Sequence, residues 1–112
     1  MNYQLKTIAK PPYDRMSNAL RVRTDMTGSD KLVYTYMLNE YQVFKEFNRT
    51  YSENMSDIAF ETGLTRRTVG VCIERLNALG LVKTQKHSLH DTSKSIVYHT
   101  YIVVDLYNVF SN

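Results

Sequence analysis

Seven residues within one short stretch, Thr65, Arg66, Arg67, Thr68, Gly70, Val71 and Arg75, have the types and spacing to engage a surface of anionic oxygens and flat base edges. A guanidinium fork donates in parallel to phosphate or guanine acceptors, and a threonine hydroxyl donates to phosphate. A glycine lets two surfaces approach, and a valine methyl packs on a thymine methyl. Interleaved with these residues are Val69, Cys72, Ile73, Leu76 and Leu79, spaced by threes and fours, which form the buried stripe of a helix. The plainer reading is a buried helical hairpin whose arginines only solvate a surface.

The flanking residues supply the elements that hold this helix in place. Asn54 has the side chain to cap a preceding helix by accepting from the Asp57 N–H, and Ile58 and Ala59 face its core. Gly63 ends that helix and Leu64 plugs the turn. Thr65 caps the second helix and Gly80 stops it. Beyond it, 81–86 reads as a strand, 87–95 (HSLHDTSKS) as a polar turn and 96–104 as a second strand. Lys83, Lys86 and Lys94 add positive charge along this hairpin. The second strand is apolar on both parities, which predicts that both of its faces are covered.

The run Ile58, Ala59, Gly63, Leu64, Thr65, Arg67, Thr68, Val69, Leu76, Leu79, Gly80, Leu81 and Val82 resembles the pattern "S-x-x-x-[IL]-A-x-x-[TL]-G-[LV]-[ST]-x-[RK]-T-V … L-x-x-L-G-[LI]-[IV]" of winged helix-turn-helix domains in bacterial, phage and plasmid DNA-binding proteins, with Asn54 in place of the cap serine. The lead-in YDRMSNAL and the helix KLVYTYML are similar to those of phage and plasmid replication initiators. The resemblance covers residues 13 to 107. It implies an α+β fold, a mostly helical winged helix-turn-helix with a small antiparallel β-hairpin wing. It also implies double-stranded DNA as partner, read in the major groove by helix 66–79 while the wing contacts phosphates. The role it implies is a transcription regulator or a replication-origin binding protein; a winged helix turned protein-interaction module is the alternative.

Composition agrees with such a role. The 112 residues, 43% of them hydrophobic, suit one domain: an arm over 1–12 ending in Pro11-Pro12, then a domain over 13–112 with the helix-turn-helix at 54–80 and the wing at 81–104. The net charge of +3 is unevenly spread. Residues 1–61 carry eight basic and eight acidic side chains, whereas 62–99 carry six and two, so the surplus falls on the proposed helix and hairpin. The single Cys72 cannot form an internal disulfide, and no secretion signal or membrane-length apolar run is visible, which predicts a cytoplasmic protein.

Toward the N-terminus, Tyr13 to Thr27 reads as extended or partly turned chain. Ser29 or Asp30 caps a helix from about Lys31 to Phe47, with Val33, Tyr36, Met37, Tyr41 and Phe44 on one face. Tyr34 and Phe47 make that helix apolar on a second side, which predicts a homodimer joined through this helix and the N-terminal arm. A short strand over 48–53 has Tyr51 inward, and 105–110 closes as a terminal helix. Phe60 lies where the first motif helix turns outward, suggesting cover by the N-terminal segment or a partner. His87 and His90 form an H-x-x-H near His99, a weak metal signal. No phosphate-cradling glycine loop, nucleophile elbow or catalytic carboxylate pair is present, so neither an enzyme nor a cofactor is expected.

Overall fold

The computed structural model describes residues 17–90 and 93–107. Within them the elements run α1 (Asn18–Arg21), α2 (Gly28–Glu46), α3 (Met55–Thr62), α4 (Arg66–Ala78), β1 (Val82–His90) and β2 (Ser95–Val103). This is an α+β fold, as expected, with about half of the described residues helical and one antiparallel hairpin. The arm over 1–12 lies outside the described residues. The segment before α2, expected to be extended or partly turned, contains the single turn α1, capped by Ser17 and anchored by buried Leu20.

The long helix α2 starts earlier than expected because its cap is reciprocal. The Thr27 hydroxyl accepts from the Asp30 N–H, and the Asp30 carboxylate accepts from the Thr27 N–H, each at 3.0 Å. Ser29 and Asp30 therefore lie inside the first turn and are not its caps. The helix runs through the middle of the molecule and touches α3, α4 and β2. That position buries Tyr34 along with Val33, Tyr36, Met37 and Leu38. The Tyr34 hydroxyl donates to the Val104 carbonyl, so this ring belongs to the chain's own core and offers nothing to a second copy.

Asn48 has φ 55°, a left-handed residue that turns the chain out of α2. The strand expected over 48–53 does not form. A single backbone bond, Tyr101 N–H to the Tyr51 carbonyl at 3.0 Å, joins this segment to β2, and Ser52 then uses its hydroxyl to reach the His99 carbonyl at 2.7 Å. Tyr51 is inward as expected, its ring centroid 5.1 Å from Phe44 and 5.5 Å from Tyr101. The Tyr36 and Tyr51 hydroxyls both donate to Glu53, at 2.6 and 2.8 Å. Burial first, and the facing Glu53 carboxylate second, push both phenols above their ordinary pKa.

The helix-turn-helix forms where the caps require it. Asn54 Oδ1 accepts from the Asp57 N–H at 2.8 Å, Gly63 takes φ 76°, and Thr65 Oγ1 accepts from the Thr68 N–H at 3.1 Å. Val69, Cys72, Ile73 and Leu76 of α4 are buried, and Gly80 at φ 77° turns the chain into β1.

The hairpin is longer than its sequence suggests. The register runs from Val82 opposite Val103 to His90 opposite Ser95, so His87 to His90 are strand and the turn is shorter than 87–95. Cross-strand pairs explain the extension. His87 stacks on Tyr98 with centroids 4.9 Å apart, its Nε2 lies 2.9 Å from Thr100 Oγ1, and Leu89 faces Ile96. Covered faces were expected on both sides of β2, but only Tyr101 and Val103 are buried, while Ile96, Val97 and Ile102 are about half exposed. Residues 106–107 form a turn, and 108–110 of the expected terminal helix lie outside the described residues.

Candidate nucleic-acid interface

The outward face of α4 carries Arg66, Arg67, Val71 and Glu74, opposite the buried stripe. Among the described residues neither Arg66 nor Arg67 has an acidic partner within salt-bridge distance, so both guanidinium groups are available to an external anion. The two point to different grooves. Arg66 lines a groove of about 510 Å3 between the start of α3 and β2, with Asn54, Asp57, Tyr98 and His99. Arg67 lines a second groove, of about 540 Å3, with Val71, Glu74, Asn77, Thr84 and His99. Met55, His99 and Tyr101 are common to both, so together the grooves follow the side of α4 that faces the hairpin.

The threonines are committed locally. The Thr65 hydroxyl accepts the capping N–H and donates to Thr68 Oγ1 at 2.9 Å. Gly70 has helical backbone, and a Cβ placed there would meet only Met55 Sδ at 3.5 Å, an ordinary contact. Neither backbone nor packing therefore requires glycine at this position. Val71 is 40% exposed beside it.

The hairpin lysines separate by strand parity. Thr84 meets Asn77 of α4 through two hydrogen bonds, Thr84 N–H to Oδ1 at 3.0 Å and Nδ2 to Thr84 Oγ1 at 2.8 Å. Even-numbered residues of β1 thus face α4, which brings exposed Lys86 to the same side as Arg66 and Arg67 and sends Lys83 to the far face. Lys94 is exposed just before β2.

Arg75 is paired. Its Nε donates to Asp30, 2.9 Å from Oδ2 and 3.1 Å from Oδ1, although the Arg75 side chain remains 46% exposed and Asp30 has no exposure at all. Burial pushes the Asp30 carboxyl upward, but the Thr27 N–H, Arg75 and the Cys72 thiol outweigh it and hold the pKa below its ordinary value. Burial and the same carboxylate raise the Cys72 thiol to about 11, so this cysteine is an inert core residue.

Sequence reasoning missed Asp30, Asn77, Met55 and the groove-lining role of His99. Asp30 was legible as a helix-start residue; its pairing across 45 residues had no local signal. Among the described residues no three His, Cys, Asp or Glu side chains converge as metal ligands, and no helix is long and apolar enough to cross a membrane. No protein-family model, curated protein or solved structure matches this chain.

Proposed function

We propose that this chain binds double-stranded DNA, laying α4 in the major groove while the hairpin lies along the phosphate backbone. The observation that carries the reading is the exposed pair Arg66 and Arg67, without an ion-pair partner among the described residues, at the start of an outward helix with Lys86 on the same side. Gly70 adds to it. Glycine inside a helix costs about 1 kcal/mol relative to alanine, and here nothing internal asks for it, whereas a close approach to base edges does. Arg67, Gly70 and Val71 then form the reading surface, and Arg66, Lys86 and Lys94 supply phosphate contacts. The biological setting is a cytoplasmic transcription regulator or a replication-origin binding protein. It acts as a homodimer whose half-sites lie about one helical turn apart, because one helix spans too few base pairs for selectivity.

A second reading has its own support. Phe60 is 73% exposed and Val71 40%, and exposed apolar side chains on both motif helices suit a protein-docking surface.

Binding to random duplex DNA at two salt concentrations separates the two readings, with the parent compared to an Arg66→Ala/Arg67→Ala variant and circular dichroism used to verify folding. Salt-sensitive binding by the parent that collapses in the variant is expected. A folded parent that binds no duplex even at low salt leaves the docking reading.

A further inference from the structure

We infer that Asp30 is a positioning residue for DNA binding: from the buried start of α2 it grips the Nε of Arg75 and holds that guanidinium ready for a phosphate. The inference rests on the DNA reading above and names a part of it that lies outside α4 and the hairpin.

Three observations combine. Asp30 is wholly buried, yet its ion-pair partner is a nearly half-exposed arginine on the helix proposed to read DNA. Both carboxylate oxygens are directed at the Nε, and among the described residues the two terminal Nη nitrogens of Arg75 meet no hydrogen-bond acceptor. A guanidinium carries five N–H donors in a rigid plane, so fixing Nε from one side orients the remaining donors toward solvent without consuming them. The carboxylate is itself fixed, since Oδ2 also accepts from the Thr27 N–H at 3.0 Å. The chain thus runs from the cap of α2 through Asp30 to Arg75. An arginine so held loses less side-chain freedom on binding than one free in solvent, as Arg66 and Arg67 are.

This arrangement makes a prediction opposite in sign to simple electrostatics. Asp30→Asn removes one negative charge from a chain of net +3, which by charge alone strengthens DNA binding. Positioning predicts the reverse, because asparagine can still accept from Thr27 but releases the guanidinium.

The experiment is a double-mutant cycle read by duplex affinity across a salt series, using the full chain, Asp30→Asn, Arg75→Ala and the double variant, each verified as folded by circular dichroism at the assay temperature. Arg75→Ala is expected to lower the slope of log affinity against log salt by about 0.9, the signature of one lost phosphate. Asp30→Asn is expected to weaken binding by about threefold to tenfold in the parent, and to have no weakening effect once Arg75 is alanine. Should Asp30→Asn fail to fold, Arg75→Lys carries the test. It keeps the charge but cannot hold Asp30 and a phosphate through separate nitrogens, so it too should weaken binding.

A parent that binds DNA while Arg75→Lys or Asp30→Asn binds as well or better overturns the positioning role alone. A parent that does not bind duplex overturns the DNA reading, and this inference with it.

Discussion

Asp30 keeps its charge with no solvent exposure because two donors converge on it, the Thr27 N–H and Arg75 Nε. Its folded pKa lies below the unfolded one. The charged form therefore contributes stability above the ordinary carboxylate range, and that contribution is lost as pH falls through the folded pKa. Melting curves of the parent and Asp30→Asn should differ most near neutrality, begin to converge as pH falls below about 4, and meet only once it has passed below the folded pKa. A gap that stays constant down to low pH would mean that the charge of Asp30 contributes nothing to the fold. At this scale Gly70 makes the complementary case. Gly70→Ala should leave the fold intact, even stabilise it by up to about 1 kcal/mol, since the new Cβ meets only Met55 at an ordinary distance. If α4 approaches base edges, the same substitution weakens DNA binding while the melting temperature rises. Unchanged affinity would remove Gly70 from the reading surface.

The elements legible in the sequence are those whose determinants are local. Asn54, Gly63, Thr65 and Gly80 bracket α3 and α4 by caps that reach only three or four residues, and all four take the geometry their types suggest. Gly63→Ala should therefore lower stability by about 1 kcal/mol or slightly more through backbone strain alone, because at φ 76° a Cβ is disfavoured although nothing lies within 4 Å of it. A melting temperature equal to the parent's would show that the turn relaxes at no cost. Elements whose determinants are distant were misread. The His87 to His90 segment is polar enough to read as a turn, and it becomes strand only because Tyr98, Thr100 and Ile96 stand across from it. Tyr34 read as surplus apolar surface because its partner, the Val104 carbonyl, is 70 residues away. The candidate site divided in the same way. The exposure of Arg66 and Arg67 followed from helical spacing, whereas the pairing of Arg75 and the outward turn of Lys83 needed the tertiary fold.

At the scale of the molecule, one face of the hairpin is left uncovered by the described residues. Strand alternation puts Leu89, Ile96 and Ile102 on the side of the hairpin away from α4, and all three are exposed. A two-stranded sheet with an open apolar face has little independent stability, so cover for this face would rigidify the hairpin as well as bury hydrocarbon. Tyr34 is spent inside the core, whereas Phe47, the other residue behind the proposed homodimer, stays 72% exposed at the end of α2. In the proposed homodimer the outer face of the hairpin would be a second contact, one that leaves the groove side with Arg66, Arg67 and Lys86 open. Two copies joined there would each keep α4 free for a half-site. Sedimentation of the parent should then report a dimer, and Ile96→Glu/Ile102→Glu should report a folded monomer, since like charges placed on a buried apolar contact separate it. The monomer should retain salt-dependent binding to random duplex and lose the preference for paired half-sites, because the electrostatic contribution belongs to each copy and the spacing only to the pair. A parent that sediments as a monomer both free and on DNA would mean that this face stays open, and that selectivity has to arise within one copy.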